Sequence, residues 1–94
     1  MRCWNYKIRL LAEELKAILQ AVVYMERIRQ DELADACSVD QSTVHRWLSS
    51  TDYQMHIPIF VVPALTEPRW RVLVLELLKF QARPHGLKIV EDSR

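Results

Sequence analysis

The chain has 94 residues, half of them hydrophobic, a formal net charge of +1, two cysteines, four prolines and a single glycine. That length and apolar content fit one domain able to bury a core and exclude a disordered chain. Cys3 and Cys37 are too few for a disulfide framework, and the lone Gly86, with no Asn-Gly or Asp-Gly pair, excludes a hairpin-rich fold and points to all-α architecture.

From Tyr6 to Glu26 the apolar residues Ile8, Leu11, Leu15, Ile18, Leu19 and Val22 recur at helical spacing. Lys7, Glu13, Lys16, Gln20 and Arg27 are expected mostly on the other faces, and a thinner stripe of Leu10, Ala17 and Tyr24 spreads the apolar surface. Arg27-Ile28-Arg29 reads as a link. A second helix follows over Gln30–Cys37, with Asp31 and Glu32 in the first turn, where the helix dipole favours negative charge. Ser38-Val39 is a turn, and Asp40 then caps a third helix over Gln41–Leu48, whose buried face is Val44, Trp47 and Leu48. After the polar stretch Ser49–Gln54, Pro58 can open a fourth helix that Pro63 must kink or end. Thr66 caps a fifth, which runs to about Ala82 before Pro84 and Gly86. A single domain over residues 1–86 is expected, with residues 87–94 as a tail that could dock through Leu87, Ile89 and Val90.

The central stretch QDELADACSVDQSTVHRWL, residues 30–48, carries the functional signal. Two short helices packed steeply across a tight turn need a small residue on the first, here Ala34, and an apolar one in the turn, here Val39. They also need an aliphatic residue facing back from the second helix, Val44, and a large anchor, Trp47. These residues, with Gln30, Leu33 and the polar run Gln41-Ser42-Thr43, resemble the helix-turn-helix of the lambda-repressor-like (Xre-type) DNA-binding family. The match covers about a quarter of the chain. It departs from the family at the turn, where Ser38 stands in place of the usual glycine. The proline-led segment HIPIFVVPALTEP and final helix are further similar to small phage or prophage regulators.

The resemblance implies a five-helix domain whose third helix enters the major groove of double-stranded DNA. Gln41 would then meet an adenine edge, Ser42 and Thr43 a base edge or phosphate, and Arg46 a guanine, with His45 a base contact or a solvated surface histidine. Gln30 would hold a phosphate and brace Gln41, and Arg27 and Arg29 would flank the same phosphates. Charge argues the other way: residues 30–51 carry four acidic side chains against Arg46 alone. With Asp31, Glu32 and Asp35 facing solvent, modest non-specific affinity and a shallow salt dependence are expected.

No nucleophile–base pair, glycine-rich phosphate loop or paired-carboxylate site is present in the sequence, and the three histidines and two cysteines lack metal-ligand spacing. Neither an enzyme, a cofactor nor a metal is therefore expected. MRCWNYKIRLL lacks the pattern of a signal peptide, and the longest apolar run, IPIFVVPAL, falls far below the ~18 residues of a membrane span, so a cytoplasmic location is expected. The last helix is apolar over most of its circumference. Either it is a buried central helix, or Trp70, Val72, Leu75 and Leu78 form a homodimer interface that places two recognition helices about one DNA turn apart. The alternative function is a protein-interaction module, an antitoxin or assembly adaptor, working through that helix.

Overall fold

The computed structural model describes residues 6–50 and 55–90, and their regular structure is entirely helical. It comprises α1 (Tyr6–Met25), α2 (Gln30–Cys37), α3 (Gln41–Leu48) and α4 (Arg71–Ala82), with short 3-10 helices at Ile59–Ala64, Pro68–Trp70 and Arg83–His85. The boundaries of α2 and α3 coincide with those expected from the sequence. The expected fourth helix is instead a 3-10 helix. Pro63 brings no N–H, and the local bonding is the tighter kind, Val61 N–H donating to the Pro58 carbonyl at 3.3 Å. Glu67 rather than Thr66 precedes the next helical turn, which opens on Pro68 as 3-10 and becomes α-helical at Arg71.

One core joins these pieces. Leu19 and Val22 of α1, Leu33 and Ala34 of α2, Val44 and Trp47 of α3, and Leu73 and Leu77 of α4 are buried together with Ile28, Ile57, Val61, Leu65 and Trp70. The inward face of α1 is rotated from the expected one. Ala12, Lys16, Leu19 and Val22 point in, while Ile8, Leu10 and Tyr24 are exposed.

Three helices end the same way. At the end of α2, Ser38 adopts the left-handed conformation (φ 57), Val39 N–H donates to the Ala34 carbonyl (3.0 Å) and Ser38 N–H to that of Asp35 (3.2 Å). These are the two bonds of the Schellman motif, which satisfies carbonyls left over at a helix end. At the end of α1, Arg27 (φ 52) plays the part of Ser38, with Ile28 N–H to Val23 O at 3.0 Å and Arg27 N–H to Tyr24 O at 3.3 Å. At the C-terminal end of the α4 region Gly86 (φ 69) does so, with Leu87 N–H to Ala82 O and Gly86 N–H to Arg83 O. The chain spends its only glycine on the last of these turns and strains a serine and an arginine at the other two.

Candidate nucleic-acid interface

α3 has two opposed faces. At about 100° per residue, Val44, Trp47 and Leu48 cluster on one side. Val44 is completely buried and Trp47 nearly so. Gln41, Ser42, His45 and Arg46 are all exposed on the other side, with Thr43 half-buried at the margin. Asp40 holds the N-cap position through its backbone, its carbonyl accepting from Thr43 N–H (3.0 Å) and Val44 N–H (3.3 Å). Its side chain makes no cap hydrogen bond, contrary to the sequence expectation, so the carboxylate stands exposed at the opening of α3.

The residues around the start of α2 divide. Gln30 is half-buried in its first turn. Arg29 is exposed but tied by two bonds to Asp31, Nε to Oδ1 at 3.0 Å and Nη2 to Oδ2 at 2.5 Å. The hydrogen bonds from Arg29 hold the Asp31 carboxyl below the usual range. Arg27 is exposed and borders a surface depression with Gln20, Tyr24, Ile28 and Leu48. It therefore lies near Leu48 at the C-terminal end of α3.

Glu32, expected on the solvent side, is half-buried and bound to Arg69, whose Nε and Nη2 reach its two carboxylate oxygens at 3.1 and 3.2 Å. The same guanidinium donates to the carbonyls of Glu26 (2.9 Å) and Arg27 (3.0 Å). Arg69 thus joins the end of α1, the start of α2 and the approach to α4. Glu32 also accepts from the Arg29 backbone N–H at 3.3 Å. The Arg69 hydrogen bonds, followed by that one, hold the Glu32 carboxyl below the usual range.

The far end of α3 is held from α1. Lys16 is only 3% exposed, and its Nζ donates to the carbonyls of Arg46 (3.0 Å), Trp47 (3.1 Å) and Met55 (2.6 Å). One turn further along α1, Gln20 Nε2 donates to the carbonyl of Leu48. Sequence reasoning put both on outward faces, which holds for the exposed Gln20 and fails for Lys16, and it gave Arg69 no part. The stripe of Ile8, Leu11, Leu15, Ile18, Leu19 and Val22 did not mark Lys16, which turns inward with Ala12, Leu19 and Val22.

Trp70 is 3% exposed and belongs to the core, which removes it from the expected dimer face, because a side chain already enclosed within its own domain has no surface left to offer. Val72 remains exposed, and Leu75 and Leu78 are half-buried along a groove shared with Leu65, Val74, Ile89 and Val90. The segment 87–90 forms no strand, and of its apolar residues only Ile89 is half-buried, Leu87 and Val90 staying exposed. Burial pushes the Cys37 thiol upward, which keeps it protonated and suits a small apolar residue. Among the described residues no group of histidine, cysteine and carboxylate side chains could hold a metal ion, and no helix is long and apolar enough to cross a membrane. The expectations placed on Cys3 and on Ser49–Gln54 fall partly or wholly outside the described residues. Comparison with known protein families, with curated proteins and with solved structures yields no match.

Proposed function

We propose that the chain is a sequence-specific regulator of transcription, of the lambda-repressor-like kind and phage or prophage type, that reads the major groove of double-stranded DNA with α3. The observation that carries this reading is the division of α3. Its buried face is complete with Val44 and Trp47, yet its outer face presents Gln41, Ser42, His45 and Arg46 together. Those side chains are exposed and form no part of the core. Glutamine and arginine are the side chains that pair bidentately with adenine and guanine edges, and short hydroxyls serve either base or phosphate. Gln30 and Arg27 supply phosphate contacts beside that face, and Arg29 supplies one when it leaves Asp31.

Dimerisation through Val72, Leu75 and Leu78 would set two copies of α3 against a two-fold operator. The test is fluorescence anisotropy against a duplex from the flanks of the chain's own gene and a random duplex, at two salt concentrations. Preferential binding to the flanking DNA, weakened by Gln41→Ala in a folded variant, is the expected result. Equal and feeble binding to both, together with a stable complex with a different protein, would overturn it in favour of an interaction module built on the α4 groove.

A further inference from the structure

We propose that Lys16 is a positioning residue for α3, an inference that rests on the DNA-binding reading above. A lysine at this point of α1 is costly. Leucine or methionine would complete the Ala12–Leu19–Val22 stripe without taking an ammonium out of water. What an apolar side chain cannot supply is direction. Lys16 and Gln20, one turn apart on the longest helix of the domain, reach the carbonyls of Arg46, Trp47 and Leu48, three consecutive residues at the end of α3. Carbonyls of a last helical turn lack intrahelical partners and carry the negative end of the dipole, so a cation there is doubly favoured. Bonds to a charged donor are also shorter and stronger than neutral ones.

Val44 and Trp47 fix which face of α3 looks inward, but apolar contacts leave a short helix some freedom to slide along its axis and to roll. The three carbonyl contacts remove that freedom by referring the helix to α1. The Met55 carbonyl accepts from the same ammonium. Base readout requires side chains held to within about 0.5 Å. Lys16 acts on specificity through that constraint, without touching DNA.

The experiment pairs amide hydrogen exchange with anisotropy for the full chain, Lys16→Met and Gln20→Ala. Lys16→Met removes three charged hydrogen bonds. Amides of the last turn of α3 should then exchange at least about tenfold faster while those of α4 stay unchanged, since one lost charged hydrogen bond alone is worth about that factor. The preference for the flanking duplex over the random one should fall by about the same factor, with binding to the random duplex nearly intact. Gln20→Ala removes a single bond from an exposed side chain, so it should keep the fold and show the same pattern more weakly. If Lys16→Met does not fold, Gln20→Ala carries the test. Exchange that quickens equally in α1, α3 and α4, or a folded variant with undiminished preference, would make Lys16 a structural cap only and overturn the proposal. A wild-type chain that prefers neither duplex would overturn the DNA reading itself, and the exchange pattern would still decide whether Lys16 fixes α3.

Discussion

Ser38→Gly should make the protein more stable while leaving its interface intact. Ser38 is the left-handed residue of the turn between α2 and α3, with φ 57 and both Schellman bonds formed. An L-residue in that conformation pays roughly 1–2 kcal/mol from contact between Cβ and its own backbone. Glycine escapes that cost but loses about 0.5–1 kcal/mol more chain entropy on folding. The balance favours glycine by about 0.5–1 kcal/mol, and at about 4–8 °C per kcal/mol for a domain of this size, Tm should rise by several degrees. Ser38 is exposed, so no buried contact of its hydroxyl is lost. A thermal melt followed by the far-ultraviolet helix signal measures the change, with Ser38→Ala as the control that keeps the strain. A lower Tm for the glycine variant, or an equal rise for alanine, would refute the assignment of strain to backbone conformation.

Arg27→Gly relieves the same strain at the end of α1, and its carbonyl still accepts from Arg69. It should raise Tm like Ser38→Gly, yet weaken binding to every duplex by removing a phosphate contact, a combination visible by pairing melts with anisotropy. Arg69→Met should destabilise the fold more at neutral pH than in acid. Glu32 has its folded pKa depressed by Arg69, so its contribution is present above the ordinary carboxylate pKa and lost as pH falls through the lower folded value. The difference in Tm between wild type and variant should therefore narrow from pH 7 to pH 3. It should not vanish, because the bonds from Arg69 to the Glu26 and Arg27 carbonyls carry no titrating partner. An unchanged difference would mean that the ion pair contributes nothing.

The sequence revealed most where side-chain period and helix ends coincide. The limits of α2 and α3 follow from Ala34, Val39, Val44 and Trp47 at fixed offsets, and the end of α4 from Pro84 and Gly86. It misled where two prolines five residues apart left too few donors for an α-helix, and the segment Ile59–Ala64 tightened into 3-10 geometry. It misled again at Lys16, because a wheel assigns charged residues to water, whereas this one answers to carbonyls thirty residues and more away. The fate of Glu32 was equally hidden, since its partner Arg69 is 37 residues distant. A pattern read along one helix cannot register a bond whose second half lies on another.

The electrostatics of the interface lead to a prediction opposite to the usual effect of an acidic motif. Within residues 30–51 four acids face one arginine, but Glu32 is engaged by Arg69 and Asp31 by Arg29. Asp35 and Asp40 stay exposed and add negative charge to this region, so few phosphates are neutralised. With Arg27 as the charged phosphate contact and Arg46 turned to a base edge, the slope of log K against log salt should be about −1 per protomer. Asp31 has a second role, as the clamp on a third cation. Asp31→Asn should free Arg29 for a phosphate, steepen the slope by about one and tighten non-specific binding. It should do this at little cost to stability, because exposed ion pairs contribute little. The measurement is anisotropy against a random duplex from low to moderate salt. An unchanged slope would mean that Arg29 does not reach DNA, and that the phosphate contacts lie nearer Arg27 and the C-terminal end of α3.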